Sequence, residues 1–304
     1  MTRDVADVLK DKNIPMRRGV LAATLSTFRI GGPVALLVEP RSEMELIAAV
    51  SIAACFEHSF RVIGRGSNIL FDDGEIETIL IRTTAVNAVR ETDGGFFAQC
   101  GASLPLLCDR AARRGLDGLS FACGIPGTIG GGVYMNAGAH ENALSDVLKS
   151  VTAYYPDSGR KETYLVSELN TSYRFSRFQR ENAVILSAEF ALENGADPAV
   201  LTEEMRALRA ARRAAQPLDL PSAGSVFRRP GPAISVGKLL DELGQKGRRV
   251  GDAAVSEKHA GFIVNLGAAR AADVKALIRE IQKTAEKERG IRLVPELCFI
   301  PSDV

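Results

Sequence analysis

The chain has 304 residues, of which 46% are hydrophobic and 25% charged, and its net charge is +1. This composition excludes a disordered chain, and the length predicts two domains or three small ones. The near-neutral charge provides no global field that favours nucleic acid, so an anionic ligand requires a local basic cluster. The N-terminus lacks the apolar segment of a signal peptide, and no apolar run reaches the roughly 18 residues of a membrane span.

The cysteine pattern favours reduced thiols. The five cysteines contain no CxxC pair and their number is odd; they are Cys55, Cys100, Cys108, Cys123 and Cys298. Their spacing matches neither a zinc site nor a disulfide framework. We therefore expect no metal and a cytoplasmic protein.

The first part of the chain has a βαβ pattern. A short helix is predicted over residues 4–12, a buried strand over "VALLVEP" (34–40), and a helix with Ser42 and Glu45 as its capping box over 41–58. "FRVIGRGSNILF" (60–71) predicts a strand, a tight glycine turn and a second strand, and "TILIRT" (78–83) predicts a further strand. We predict a first unit over residues 1–85.

Residues 86–204 form a predicted second unit of short strands around one helix. The helix begins at Ser103 and its cap is expected at Gly115. "SVTAYYP" (150–156), "KETYLV" (161–166) and residues 182–192 predict strands, and residues 201–214 predict a basic helix. "QPLDLPSAGS" (216–225) then ends all periodicity through its prolines and glycine.

A third unit is predicted over residues 205–304. It contains a helix at "SVGKLLDEL" (235–243), a strand at "AGFIVNL" (260–266) and a helix at 272–289 with an apolar stripe at 274, 277, 278 and 281. "IRLVPELCFI" (291–300) is expected to be a closing strand. Because helices and strands are intermixed, the fold class is α+β or α/β.

A short glycine turn, "GRGSN" (64–68), follows a predicted strand directly. Its glycines allow successive backbone N–H groups to point into one concavity, which suits a pyrophosphate. A plain tight turn between two strands explains the same residues. Taken alone, the motif leaves both interpretations open.

A second glycine-rich segment, "GIPGTIGGGVYMNAGA" (124–139), has six glycines among sixteen residues. Its apolar members distinguish it from a flexible linker, so we expect a rigid loop whose backbone closely approaches a large, flat, phosphorylated ligand. The residues after Gly130 are expected to open a helix that faces an anion. Neither segment matches the GxGxxG pattern of a Rossmann site.

Seven motifs in order resemble the shorter type of the UDP-N-acetylenolpyruvoylglucosamine reductases, and together they span nearly the whole chain. They are "TFRIGGPV" (27–34), "IGRGSNIL" (63–70), "GIPGTIGGGVYMNAGA" (124–139), "SYRFS" (172–176), "PSAGSVFRRP" (221–230), "VSEKHAGFIVN" (255–265) and "LVPELCFI" (293–300).

The resemblance implies an α+β fold of the vanillyl-alcohol-oxidase/PCMH type. Two subdomains hold non-covalent FAD, and a C-terminal domain binds the substrate. The implied activity is that of an NADPH-dependent oxidoreductase of peptidoglycan precursor synthesis. It reduces the enolpyruvyl ether of UDP-N-acetylglucosamine to UDP-N-acetylmuramate. The partners expected are a UDP-sugar and no nucleic acid, and neither the oligomeric state nor the preference for NADPH over NADH follows from the sequence.

The resemblance also assigns roles to individual residues. Arg174 matches the carboxylate-binding arginine, Ser225 the proton donor and Glu296 the catalytic glutamate. The FAD-binding positions are Gly64, Arg65, Gly66, Ser67, Asn68, Gly124, Ile125, Pro126, Gly127, Gly130, Gly131, Asn136 and Ala137. The expected substrate-binding residues are Tyr173, Arg228 and Lys238, with Arg229 a further candidate, whereas His259 is expected to be structural.

The residue types suit this chemistry. Hydride addition to an enolpyruvyl group places negative charge on the carbon beside the carboxylate, which calls for a cation there and a proton source. A guanidinium such as that of Arg174 can hold a carboxylate through two parallel hydrogen bonds. The hydroxyl of Ser225 is a weak acid, so a cation (Lys238 or Arg228) or an ordered water must stabilise it after proton donation.

Two positions depart from the family pattern. Ser26 replaces a common asparagine and is expected to cap as asparagine does. Gly132 replaces a common alanine and is expected to make the loop more flexible. The chain also lacks the extra tyrosine-bearing loop of longer members, which leaves open what covers the substrate.

Two other functions are compatible with parts of the pattern. One is an alcohol or sugar oxidase of the same fold, although "GRGSN" offers no histidine or cysteine for covalent FAD. The other is a non-enzymatic nucleotide-binding partner, against which the presence of Arg174, Ser225 and Glu296 argues.

Overall fold

The computed structural model describes residues 4–231 and 234–301. The α-helices are α1 Val5–Asp11, α2 Glu43–Cys55, α3 Leu104–Arg113, α4 Ile129–Tyr134, α5 Pro198–Ala215, α6 Val236–Glu242 and α7 Ala271–Arg289. The strands are β1 Met16–Arg17, β2 Val20–Leu21, β3 Pro33–Val34, β4 Leu37–Val38, β5 Phe60–Ile63, β6 Ile69–Phe71, β7 Ile79–Arg82, β8 Val89–Thr92, β9 Gly95–Gln99, β10 Leu116–Asp117, β11 Gly138–Ala139, β12 Asn142–Ala143, β13 Leu148–Tyr155, β14 Arg160–Leu165, β15 Val184–Ala191, β16 Glu193–Asn194, β17 Arg249–Val250, β18 Ala253–Val255, β19 Ile263–Asn265 and β20 Cys298–Ile300.

The chain divides into two compact units, each drawn from three chain segments. Unit 1 comprises Met1–Arg18, Leu36–Arg65 and Thr78–Ala211, and unit 2 comprises Gly19–Ala35, Gly66–Glu77 and Arg212–Val304. The expected three-part division, with boundaries after residues 85 and 204, groups the chain differently and stays a prediction.

Unit 1 contains two larger sheets, besides the two-stranded pairs β10-β16 and β11-β12. A four-stranded sheet has the order β1-β4-β7-β5, in which β4, β7 and β5 run parallel and β1 pairs antiparallel with β4. A five-stranded antiparallel sheet has the order β14-β13-β15-β9-β8. One continuous core, which includes Leu46, Ile81, Phe96, Ile129 and Phe190, supports both sheets and α2, α3 and α4.

Unit 2 is built around α7. The residues of its predicted apolar stripe, Val274, Leu277, Ile278 and Ile281, are all buried. They join a core with residues of α6, β18 and β19, and β20 pairs in parallel with β6. Strand β6 directly follows the glycine turn at 64–68, whereas β20 begins at Cys298. This pairing therefore joins two segments that are far apart in the chain.

The two glycine-rich segments, 64–68 and 124–139, contain the turn and the helix that the sequence predicts. The helix after Thr128 is α4, and the turn at 64–68 joins β5 to β6. The helix from Ser103 ends at Arg113, and Gly115 follows it with a φ of 67°. A left-handed residue at this position is the usual way to end a helix.

The prediction of a single strand over residues 34–40 is wrong. The structure has β3 and β4 instead, because the ladder changes partners between them: the N–H of Ala35 donates to Ile76, whereas the carbonyl of Leu36 accepts from Leu80. The closing strand is also shorter than predicted. Only β20 is regular, because Pro295 has no N–H for a ladder.

Two capping predictions are corrected. Ser42 does cap α2 by accepting from the N–H of Glu45, but the Glu45 carboxylate accepts from the N–H of Arg41, so the box is not reciprocal. Ser26 does not cap, because its buried hydroxyl has no hydrogen-bond partner among the described residues.

Candidate functional site

The turn after β5 needs glycine for steric reasons. A Cβ atom on Gly64 would lie 2.3 Å from Thr128 Oγ1, and one on Gly66 would lie 2.2 Å from the carbonyl oxygen of Leu25. Gly66 also has a φ of 64°, a left-handed conformation that glycine adopts without strain. Packing and backbone conformation therefore explain both glycines without a ligand.

The side chains of this turn have defined neighbours. The Arg65 guanidinium lies 3.5 Å from Ser103 Oγ, at the start of α3. The Asn68 amide donates to the carbonyl oxygen of Glu296 at 3.1 Å. Arg65 and Asn68, which are both predicted to bind FAD, thus also make structural contacts within their own units.

The glycines of α4 differ from one another in what surrounds them. A Cβ on Gly130 would lie 2.9 Å from Cys100 Cβ, and one on Gly132 would lie 2.8 Å from Leu144 Cδ1. Gly132 therefore makes room for Leu144, which is a packing role and not the added flexibility expected from the sequence. A Cβ on Gly131 would have a single neighbour within 4 Å, Thr128 Oγ1 at 3.6 Å, and its φ is not positive.

Gly131 is therefore a glycine that neither packing nor backbone strain requires. It is exposed at the beginning of α4, where Thr128 caps the helix by accepting from its N–H. The backbone here leaves space for a flat group to approach closely. Such space is what a cofactor at this loop would use.

Other predicted FAD-binding residues of the loop lie around this point. Gly124 and Gly127 are half-buried, Pro126 is exposed, and Ile125 packs on the core of unit 1. Ala137 is half-buried and closes the helix with a hydrogen bond to Gly132.

Asn136 is buried, and its side chain is committed to other parts of the protein. Its amide nitrogen donates to the carbonyl oxygen of Ser172 at 3.1 Å, and its amide oxygen accepts from the N–H of Ser145 at 3.0 Å. Asn136 therefore ties the glycine loop to the segment that carries Arg174.

Arg174 lies at the centre of a tight turn between Ser172 and Phe175. Its φ of 54° is left-handed, which is unusual for a residue with a side chain. Its guanidinium donates to the carbonyl oxygen of Gly138 at 2.8 Å and lies 5.0 Å from the ring of Tyr173. These contacts hold the guanidinium beside an exposed tyrosine.

An open cavity of about 490 Å³ lies within unit 1, beside the Arg65 side chain. Its lining is basic and partly apolar, and contains Arg65, Arg82, Thr84, Asn87, Val89, Gly101, Ala102, Ser103, Leu106, Leu107 and Arg110. The Nε atom of Arg82 is buried and has no hydrogen-bond partner among the described residues. Glu39 and Glu91 lie 3.6 Å and 3.7 Å from Arg82 and Arg110 and partly offset their charge.

Sequence reasoning missed Arg82 and Arg110. Arg82 ends β7, and ligands of open parallel sheets bind outside the carboxyl ends of the strands, so this position was a usable signal. Arg110 lies within α3 and becomes part of the cavity only through the fold, so no local pattern identifies it.

Unit 2 brings together the segments that contain Ser225 and Glu296. The N–H of Glu296 donates to the carbonyl of Val226 at 2.7 Å, and Phe227 forms a bridge with Pro295. Ser225 and Glu296 are both half-buried. The Ser225 hydroxyl donates a long bond, 3.5 Å, to the carbonyl oxygen of Phe227.

Arg228 contributes a positive charge to the paired segments 225–228 and 294–298. Its Nε atom is buried and has no hydrogen-bond partner among the described residues. Burial raises the pKa of the Cys298 thiol, while the charge of Arg228 opposes this shift and that of Glu296 adds to it. Both charges therefore act at Cys298, at the start of β20.

Lys238, Arg229 and His259 have different surroundings. Lys238 is exposed on α6, and its ammonium lies 3.9 Å from Glu242; Arg229 is also exposed. His259 packs beneath Gly237, where a Cβ would lie 2.6 Å from the ring, and accepts from the N–H of Gly261. Burial lowers the pKa of His259, and Lys246 adds to this effect.

Residues 4–231 and 234–301 contain no group of three or more metal-ligating side chains placed to hold a metal ion. None of their helices combines the length and apolar character needed to cross a membrane.

Comparison with known proteins defines the class. Residues 34–163 match the model of an FAD binding domain, and residues 216–300 match that of the UDP-N-acetylenolpyruvoylglucosamine reductase C-terminal domain. Berberine bridge enzyme from Eschscholzia californica is similar over 62% of this chain and 43% of its own, with 14% identity and a TM-score of 0.50, which shows the fold alone. The protein thus has the α+β fold of the FAD-binding vanillyl-alcohol-oxidase/PCMH class.

Closer relatives define the family. The UDP-N-acetylenolpyruvoylglucosamine reductase of Carboxydothermus hydrogenoformans is 41% identical over 96% of both chains. The crystal structure of the Thermus caldophilus enzyme covers 95% of this chain and all of its own, with 33% identity and a TM-score of 0.80. The chain belongs to the UDP-N-acetylenolpyruvoylglucosamine reductase family, which confirms the resemblance and fold predicted from the sequence.

Proposed function

We propose that the protein reduces the enolpyruvyl ether of UDP-N-acetylglucosamine to UDP-N-acetylmuramate, with NADPH as reductant, in the cytoplasmic synthesis of peptidoglycan precursors. The observation that carries the proposal is the backbone pairing of segments 225–228 and 294–298 in a chain of this family, because these two segments contain Ser225, Arg228 and Glu296. Within this proposal, residues 1–85 and 86–204 bind FAD and residues 205–304 bind the substrate.

The residues of unit 1 fit an FAD molecule. Gly131 leaves open space beside the backbone of α4, whereas the N–H groups of residues 129–131 already donate to Ala102, Cys100 and Thr128 and are not available to an anion. The cavity lined by Arg65, Arg82 and Arg110 combines cations with apolar surface, as an adenosine phosphate requires. When bound, FAD supplies hydride chemistry that amino-acid side chains lack.

The thirteen positions expected to bind FAD from the sequence remain proposed as contacts, with two distinctions. Asn68 and Asn136 use their side chains within the protein, so we assign their backbones, and not their amides, to the cofactor. Gly64 and Gly66 are required by packing in any case, so their substitution is a poor test of cofactor contact.

Arg174 is proposed to bind the carboxylate of the enolpyruvyl group. Reduction of the double bond moves negative charge toward this carboxylate, so a guanidinium there stabilises the transition state more than the ground state. Its Nη2 atom donates to the carbonyl of Gly138, and a planar guanidinium can hold a carboxylate through two parallel hydrogen bonds. Tyr173 is proposed to contact the same group.

Ser225 is proposed to donate the proton that completes the product. Arg228 is the stronger candidate to stabilise the resulting alkoxide, since its buried Nε has no hydrogen-bond partner among the described residues. Lys238 is exposed and pairs with Glu242, which suits contact with the substrate diphosphate. Glu296 is proposed to orient the substrate carboxylate or to relay protons.

Anaerobic stopped-flow absorbance of the flavin tests the function. The enzyme is first mixed with NADPH and then with the enolpyruvyl substrate. We expect flavin reduction in the first step and reoxidation in the second, and a reduced flavin that the substrate does not reoxidise contradicts the assignment. A protein that binds FAD and UDP-sugar but never oxidises NADPH would be a non-enzymatic binding partner.

A Ser225→Ala variant separates the two steps. Reduction by NADPH should proceed at the wild-type rate, and reoxidation should slow by about 10²–10⁴-fold, the usual effect of losing a general acid. Ser222→Ala, a serine of the same loop, is the matched control and should leave both steps unchanged. Equal rates for Ser225→Ala and wild type would exclude Ser225 as the donor.

A further inference from the structure

The side-chain amide of Gln179 joins the glycine loop to the Arg174 turn. Its single nitrogen donates to the carbonyl oxygen of Tyr134 at 2.9 Å and to that of Arg174 at 3.0 Å. Tyr134 is the last residue of α4, so one amide connects the proposed cofactor helix with the backbone of the proposed carboxylate-binding residue.

Other bonds of unit 1 join the same two segments. Ser176 Oγ also donates to the carbonyl oxygen of Tyr134, at 2.8 Å, and Asn136 donates to that of Ser172. Among these side chains, Gln179 is the one whose hydrogen bond reaches the peptide of Arg174 itself. Asn136 holds the carbonyl of Ser172 at the start of the turn, and Ser176 connects the residue after Phe175 to α4.

The backbone of Arg174 requires such support. A left-handed residue with a side chain costs about 1–2 kcal/mol relative to the right-handed region, so surrounding contacts must maintain it. The guanidinium contacts of Arg174 are made from this backbone, and a rotation of the peptide would redirect the side chain. The N–H of the peptide that follows Arg174 donates to the carbonyl of Ser172, and Gln179 holds the carbonyl end of the same peptide.

We infer that Gln179 is a positioning residue, which holds Arg174 in its left-handed conformation so that the guanidinium faces the substrate carboxylate. Gln179 acts through the Arg174 peptide and touches no reacting atom. The inference rests on the proposed function, since it assumes that Arg174 binds this carboxylate. It predicts that loss of the Gln179 donors weakens carboxylate recognition specifically.

Binding of two nucleotides to the FAD-loaded enzyme provides the test. UDP-N-acetylmuramate carries a carboxylate and UDP-N-acetylglucosamine does not, so their affinity ratio, measured by titration calorimetry, reports the Arg174 contact. We expect the wild type to prefer the carboxylate ligand. Absence of that preference would contradict the proposed role of Arg174 and leave Gln179 without a function to support.

Gln179→Met removes both donors with little change in side-chain length, and Gln179→Glu places negative charge against two carbonyl oxygens. In both variants the preference should fall by about tenfold or more, while affinity for UDP-N-acetylglucosamine, flavin content and the rate of reduction by NADPH stay constant. Gln179→Lys restores donors and should recover the preference. A wild-type preference in Gln179→Met would overturn the inference while leaving the proposed function intact.

Two controls exclude a general loss of structure. Gln282 donates a similar amide bond to the carbonyl of Leu293 in unit 2, and Gln282→Glu should leave the preference unchanged. In an Arg174→Ala background, Gln179→Met should cause no further loss, because the two residues act in series. An additional tenfold loss in that background would show that Gln179 acts elsewhere.

Discussion

Asn68 donates a hydrogen bond from its side-chain amide to the backbone carbonyl of Glu296, 228 residues further along the chain, at 3.1 Å. This bond lies immediately before the parallel pairing of β6 with β20, in which Ile69 is opposite Cys298. The backbone that carries the proposed catalytic glutamate is therefore held by a residue of the glycine turn. Asn68 has a structural role in unit 2 that is independent of any cofactor.

Replacement of Asn68 by alanine should lower the free energy of unfolding by about 1 kcal/mol, because a half-buried carbonyl loses its donor. Urea denaturation of the FAD-free protein measures this change without the cofactor. Asn142→Ala is the control, since Asn142 makes an exposed amide-to-carbonyl bond to a residue only two positions away, His140. Equal stability of the Asn68→Ala variant and wild type would contradict the structural role.

Two glycine substitutions should separate packing from cofactor contact. Gly64→Ala forces a methyl group against Thr128 Oγ1 and should reduce the unfolding free energy of the FAD-free protein by about 1–3 kcal/mol, as overpacking does. Gly131→Ala meets only ordinary contacts in a helix, where alanine is favoured, so the FAD-free protein should not lose stability.

The FAD affinity of Gly131→Ala should nevertheless fall, since the added methyl occupies the open space beside the α4 backbone. Fluorescence titration of the FAD-free protein with FAD measures the affinity. An affinity equal to that of the wild type would show that the cofactor does not approach Gly131. In that case the glycine-rich loop would lack the ligand contact proposed for it.

Sequence patterns correctly predicted the features that depend only on residues close together in the chain. The apolar stripe of α7 and the serine cap of α2 depend on residues three to four positions apart, and both agree with the structure. The strand predicted over 34–40 failed because a short apolar run does not record that its two halves pair with different strands. One continuous strand and two short strands with different partners would both show this apolar run.

Candidate site residues could be proposed from the sequence only where a motif names them. Arg174, Ser225 and Glu296 came from the family resemblance, whereas Arg82, Arg110 and Gln179 have no distinctive neighbours in the sequence. Their positions depend on contacts between segments far apart in the chain, as the bond from Gln179 to Tyr134 illustrates. Asn136 is an FAD-binding position by the family resemblance, and the bond from its amide to the carbonyl of Ser172 is equally invisible to a local motif.

Thiol reactivity should be confined to one position in the native protein. Cys55 is exposed, whereas Cys100, Cys108 and Cys123 are buried and Cys298 is half-buried. Burial raises the pKa of Cys100, Cys108 and Cys298, which removes the reactive thiolate at neutral pH. Mass spectrometry after brief alkylation should therefore detect one modified cysteine in the wild type and none in the Cys55→Ser variant. Rapid labelling of Cys298 would contradict the packing of β20.

Protonation of His259 should destabilise the fold in mildly acidic solution. Burial lowers its pKa below the ordinary value of 6.5, so the unfolded chain binds the proton more readily than the folded one. The contribution of neutral His259 is complete above pH 6.5 and is lost as the pH falls from 6.5 through the folded-state pKa. The burial of the ring and the nearby charge of Lys246 both disfavour the cation.

Urea denaturation of wild type and His259→Gln at a series of pH values between about 5 and 8 isolates this effect. The variant is expected to be less stable at pH 8, because it loses the ring packing, but to lose less stability on acidification. The difference between the two proteins should therefore shrink as the pH falls. Parallel pH profiles would show that His259 binds its proton equally well in the folded and unfolded chains, and the ring would then not be buried in its neutral form.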